Sequence, residues 1–114
     1  MTAPPELDSL TLVLLRRGPK ASEFSDEELD LLQERHIGYQ QAMRDRGLQA
    51  VAGPISDQMD DSLRGMSLWV VGLEETRELA ERDPSVQVGR LAVEVMTWGT
   101  PKGELAFPRL SERR

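Results

Sequence analysis

Residues 25–47 read SDEELDLLQERHIGYQQAMRDRG. Ser25 and Glu28 form an S-x-x-E capping box, in which hydroxyl and carboxylate each satisfy an orphan helix N–H. From that cap Leu29, Leu32, His36, Tyr39 and Met43 recur at alternating intervals of three and four. The spacing places all five on one stripe of a helix that ends near Gly47. Such a helix needs an apolar surface to cover, and the flanking segments supply one. Upstream, residues 10–15 (LTLVLL) are apolar on both strand faces and read as a buried strand, with Gly18 and Pro19 breaking the chain after it. Downstream, residues 48–52 read as a short strand stopped by Gly53-Pro54. Residues 55–64 are polar, carry Asp57, Asp60 and Asp61, and read as a surface loop.

Further along, residues 66–71 (MSLWVV) form a third strand, with Met66, Leu68 and Val70 on one face and Ser67, Trp69 and Val71 on the other. Residues 74–82 form a short second helix, and residues 91–98 (LAVEVMTW) a fourth strand. The order βαββαβ gives an α+β fold, a four-stranded antiparallel sheet with two helices on one face, because both crossovers obey the right-handed rule. The first and third strands are apolar on both faces, yet the helices cover only one. A homodimer, sheet face against sheet face, is the expected remedy.

The chain has 114 residues, room for one domain: residues 1–98, with its core from about residue 10, and a C-terminal extension, 99–114. Its 39% hydrophobic and 30% charged content is that of a globular protein. A complete lack of cysteine excludes disulfides, thiolate nucleophiles and Cys-ligated metal, and fits a reducing, cytoplasmic location. Residues 12–15 are too short an apolar run for a membrane span or a signal-peptide core. The net charge of −6 repels a phosphate backbone, and the cations near the end, Lys102, Arg109, Arg113 and Arg114, are interrupted by Glu104 and Glu112. No nucleic-acid or membrane partner is expected. Gly18 stands alone after the first strand, so no dinucleotide or phosphate loop is present and no cofactor is expected. One histidine and scattered carboxylates do not make a metal site.

His36 is the only histidine, and it sits where the first helix would otherwise present an apolar side chain to the sheet. An imidazole in a half-buried cleft can exchange a proton near neutral pH if a carboxylate or carbonyl fixes its tautomer. It can equally be a packing residue bonded locally. Asp83 directly precedes Pro84, a pattern that a helix N-cap explains as well as catalysis does. Tyr39, one turn after His36, is a candidate to bind a substrate oxygen, or a helix-to-sheet packing residue. Ser67 is a weaker substrate-binding candidate.

The run 36–54, HIGYQQAMRDRGLQAVAGP, resembles the YciI-like (YCII-related) family pattern of a helix histidine, a helix-ending glycine and an Ala-Gly-Pro closing the second strand. The run 79–89, LAERDPSVQVG, is similar to the family's Asp-Pro motif after the second helix, with its following turn and glycine. With the strands between them these motifs span residues 10–98. The resemblance implies a ferredoxin-like unit that dimerises through its sheet as a dimeric α/β barrel, with His36 and Asp83 as counterparts of the family's active-site pair. In one branch of that family the pair serves dehydrochlorination of a chlorinated hydroxyhydroquinone, related barrels isomerise small lactones, and some members resemble partners of sigma-factor regulators. The chain departs from the family pattern in a long connection between its first strand and helix and in a tail that contains Trp98 and Phe107. Both can reshape the cleft.

Two functional readings follow. One is a cofactor-free enzyme of lyase, isomerase or hydrolase type, acting on a small polar or aromatic molecule by His36 general acid/base catalysis supported by Asp83. The other is a non-catalytic dimeric module that binds a small molecule or serves regulation.

Overall fold

The capping box forms as the spacing predicts. In the computed structural model, which describes residues 6–107, Ser25 Oγ accepts from the Glu28 N–H and Glu28 Oε1 from the Ser25 N–H. They start helix α1 (Asp26–Asp45). Gly47, at φ 74°, ends it in a Schellman turn, with Gly47 N–H on the Arg44 carbonyl and Leu48 N–H on that of Met43. Around this helix stand strands β1 (Leu7–Arg17), β2 (Gln49–Pro54), β3 (Leu63–Trp69) and β4 (Leu91–Pro101), and helices α2 (Leu73–Glu81) and α3 (Pro84–Gln87). A single 3-10 turn, Ala21–Glu23, lies in the connection after β1.

The four strands form one antiparallel sheet in the order β2-β3-β1-β4, the ferredoxin-like arrangement expected from the βαββαβ order. Register and alternation place Thr11, Val13 and Leu15 on one face with Ser67, Trp69, Val93 and Val95. Met43 of α1 and Leu79 and Ala80 of α2 pack there against Val13 and the fully buried Trp69. Each of the larger aliphatic side chains here, Val13, Met43 and Leu79, contributes about 1.5–3 kcal/mol by leaving water. Both long helices therefore lie on one face. On the other face Leu12, Leu68, Met96 and Val51 form one cross-strand row, and Leu10 pairs with Trp98. Val51 and Trp98 are 44% and 38% exposed.

Strand ends differ from the sequence pattern for identifiable reasons. β2 runs through Gly53 to Pro54, because it is an edge strand and the N–H that proline lacks is not needed on the outer side. β3 begins at Leu63, earlier than Met66, and stops at Trp69. The Val71 carbonyl there accepts the hydroxyls of Thr11 and Thr76 instead of a ladder N–H. β4 continues three residues past Trp98, since the first residues of β1 extend to meet it, Leu7 opposite Pro101 and Asp8 opposite Thr100. Beyond it the Lys102 N–H bonds the Glu6 carbonyl, while Arg109, Glu112, Arg113 and Arg114 lie outside the described residues. No helix among the described residues is long and apolar enough to cross a membrane.

Candidate functional site

The site grows from one carboxylate. Asp83 ends the segment after α2 and is fully buried, a costly place for a carboxylate unless every lone pair finds a donor. Its Oδ1 accepts the Ser85 N–H at 2.9 Å, which caps α3 with Pro84 at the first helical position. Its Oδ2 accepts the Gln40 amide at 2.9 Å and lies 2.5 Å from His36 Nδ1. The cap and the histidine contact were alternatives in the sequence; in the structure they occupy different oxygens of one side chain.

Behind Asp83 runs a chain of amides. The Gln49 amide nitrogen donates to the Gln40 carbonyl oxygen, and Arg44 donates to the Gln49 carbonyl oxygen at 2.7 Å. Each amide accepts on the side towards Arg44 and donates on the side towards Asp83, so the guanidinium fixes the direction of the whole series. Gln40 and Gln49 are both buried, and the described residues leave no buried side-chain polar atom without a partner. With donors already on both oxygens, Asp83 takes the protonated Nδ1 of His36, and the other ring nitrogen, Nε2, is left without a protein partner among the described residues.

His36, with 14% of its side chain exposed, lines an open cleft of about 540 Å³. The cleft lies between α1 and the end of the sheet where β2 finishes and β3 begins. Its floor is Leu15, Gly53 and Gly65. A Cβ on Gly65 would sit 3.0 Å from the Gly53 carbonyl oxygen, so the two strands meet closely there. Arg44, Arg64 and Arg90 also face the cleft, and no carboxylate among the described residues lines it. Arg64 is brought in by a β-bulge: Leu15 pairs with Gly65 and Arg16 with Leu63, leaving Arg64 unpaired between them. Arg90 follows Gly89, whose φ of 81° turns the chain from α3 into β4.

Tyr39 and Ser67 stand elsewhere. Neither lines this cleft. The Tyr39 hydroxyl donates to the Leu79 carbonyl at 2.6 Å, and burial raises its pKa, helped by the Asp83 charge and opposed by Arg82 and Arg46. Ser67 Oγ is buried and accepts the Trp69 indole N–H at 2.7 Å. Both are partners within the helix-sheet layer. Among the residues not singled out in the sequence, Gln40 and Arg44 carry a readable signal, since with His36 they recur every four residues along α1. Gln49 and the bulged Arg64 carry none. No group of three metal-ligating side chains occurs among the described residues.

Neither a protein-family model nor a curated protein matches the sequence. Among solved structures the chain is similar to 5-chloro-2-hydroxyhydroquinone dehydrochlorinase from Burkholderia phenoliruptrix AC1100, in complex with 2,5-dihydroxybenzoquinone. The TM-score is 0.54 at 20% identity, over 78% of this chain and 92% of that one. That enzyme belongs to the YciI-like, dimeric α+β-barrel family. At this identity the likeness shows a common fold: a four-stranded antiparallel sheet with helices in the ferredoxin-like arrangement.

Proposed function

We propose that this chain is a YciI-like, cofactor-free enzyme in which His36, held by Asp83, moves a proton on a small polar or aromatic molecule. The observation that carries the reading is the contact between His36 Nδ1 and a buried carboxylate 47 residues away in the sequence, at the wall of a cleft. With Nδ1 engaged, Nε2 is the nitrogen that meets a substrate and takes a proton from a hydroxyl or an acidic C–H. Asp83 then stabilises the imidazolium, and the same proton returns to the leaving atom or to a neighbouring carbon. Lyase and isomerase chemistry need nothing more. The fold shared with a dehydrochlorinase supports testing that reaction first.

The experiment is turnover of 5-chloro-2-hydroxyhydroquinone and of small lactones, read by chloride release and ultraviolet absorbance. General acid/base catalysis contributes about 10²–10⁴-fold, so His36→Gln should lose that much in kcat/KM with its circular dichroism unchanged. Turnover that survives the substitution would overturn the reading. Ligand affinity without turnover by the wild-type protein would favour a binding module.

We also infer a homodimer through the helix-free sheet face, a reading supported by the apolar row on that face and by the dimeric fold family of the structural neighbour. The cysteine-free composition fits residence in a reducing cytoplasm.

A further inference from the structure

A protein of net charge −6 gathers three arginines and its only histidine around one cleft. Arg44 is oriented by Gln49 and Gln41, at 2.7 and 3.1 Å, and so is a fixed cation rather than a wandering one. Arg90 has only weak neutral acceptors, the Leu29 carbonyl at 3.5 Å and Gln33 Oε1 at 3.4 Å, and no ion pair among the described residues. Arg64 pairs with Asp61 at 3.3 Å, but that carboxylate is 89% exposed, so the pair is screened and exchangeable. Between the cations the walls are apolar: Leu15, Ile37 and Leu91. Ile37 is 55% exposed, an apolar side chain left at the mouth.

We propose that the cleft binds a small planar organic anion, its carboxylate or phenolate oxygens on Arg64 and Arg90 and its apolar ring against the Leu15 and Leu91 walls. Guanidinium forks match planar oxyanions, and a volume of about 540 Å³ falls in the usual range for small-ligand sites, roughly 300–1,000 Å³. The inference deepens the proposed catalysis and, for its chemical consequence, rests on that reading. When Nε2 of His36 takes the proton of a ring hydroxyl, the electron pair stays on that oxygen, and when it takes that of a C–H beside a carbonyl, the pair passes to the carbonyl oxygen; in both cases the arginines stabilise the charge developing there. The binding itself does not require the proton transfer.

The test is calorimetric titration of the full chain at neutral pH with three probes: 2,5-dihydroxybenzoquinone, which is ionised there, neutral hydroquinone, and inorganic phosphate. The dianion should bind at least ten-fold more tightly than either of the others. Arg64→Gln and Arg90→Gln should each weaken it at least ten-fold, Arg90→Lys should recover part of the loss, and Arg77→Gln, an equal change of net charge on α2, should leave it unaltered. Equal affinity for hydroquinone, equal affinity for phosphate, indifference to both cleft substitutions, or no binding of the dianion at millimolar concentration would each overturn the inference. The two proposals fail separately. Turnover that depends on His36 with binding indifferent to the arginines sinks only the anion site, and arginine-dependent binding without turnover of any substrate sinks only the catalysis.

Discussion

Asp83 divides its oxygens between a helix cap and an imidazole, and that division decides what substitution does. In Asp83→Asn one oxygen becomes an N–H donor. If the amide keeps its oxygen on the Ser85 N–H, its nitrogen faces the donors of Gln40 and His36; if it turns, the cap on α3 is lost. Only the first arrangement takes the acceptor from the proton on Nδ1; Asp83→Ala removes it in every case. In alkaline buffer, long-range ¹H–¹⁵N spectra of wild-type protein should show one tautomer, protonated at Nδ1, and Asp83→Ala should show a mixture. The only histidine gives the only such signals. An unchanged single tautomer would mean that Asp83 does not hold the ring. The sequence made His36 legible because it interrupts an apolar stripe, and Asp83 because Asp-Pro is a capping pattern. Gln49 was not legible, since an amide on an edge strand reads as surface until a buried partner is seen, and Gln40 showed only through its four-residue spacing from His36. Tyr39 was legible as a helix residue turned to the sheet, whereas the burial of Ser67 was not; their partners, the Leu79 carbonyl and the Trp69 indole, come from packing that spacing does not reveal.

At the scale of elements, caps and close approaches set where α1 holds His36 and where the segment before β4 holds Arg90. The Glu28 carboxylate accepts hydrogen bonds from Ser25, the backbone N–H foremost, and these hold its pKa below the ordinary glutamate range. A depressed value in the folded chain means stabilisation that is present above the ordinary range and lost as pH falls through the depressed one. The melting temperature should therefore fall on acidification. Glu28→Gln keeps a side chain able to complete the box but removes its titration, so its melting temperature should fall less between pH 6 and pH 3. Asp60, depressed by the Ser62 hydrogen bonds first and by Arg16 as well, supplies a second acid-sensitive contribution that this variant retains. A slope identical to wild type would show that the box does not titrate. Gly18 makes the other junction. A Cβ there would lie 2.3 Å from the Gly89 carbonyl oxygen and 2.8 Å from the Arg90 carbonyl carbon, both backbone atoms that cannot turn aside. Gly18→Ala should push the segment carrying Arg90 away from the cleft, which a lowered melting temperature together with weakened anion affinity would register; wild-type values of both would refute that coupling. Helices and strand order were legible because caps and alternation are local. The bulge at Arg64 was not, because it arises from the register of β3 against β1, a property of the pair rather than of either strand.

For the molecule as a whole, the open sheet face poses the remaining physical question. Residues 10–15 announce it, since an apolar run with no polar alternation has no solvent side, and the structure places Leu12 between Leu68 and Met96 in a row that ends at exposed Val51. Glu94, a charge on this face, pairs with Arg16 at 2.5 Å, and Arg16 also meets Asp60 at 2.9 Å, so the cost of covering Glu94 is reduced in part. A stable pairing needs about 800 Å² from each partner, an area on the scale of one face of a four-stranded sheet. What covers the face is not written in one chain's periodicity, because the same apolar row suits any apolar partner. A second copy brings its own identical row, and two-fold symmetry lets each face satisfy the other. Sedimentation equilibrium at micromolar concentration should then give twice the 12.8 kDa of the chain. Val51→Lys and Met96→Lys place like charges in the paired faces and should return the mass to that of one chain, with far-ultraviolet circular dichroism unchanged because neither side chain belongs to the helix-sheet core. A wild-type protein that sediments as a single chain would remove the dimer and leave the apolar face for a different partner. A dimer untouched by both lysines would place the interface elsewhere, with the arm formed by the first residues of β1 and the last of β4 as the next surface to substitute.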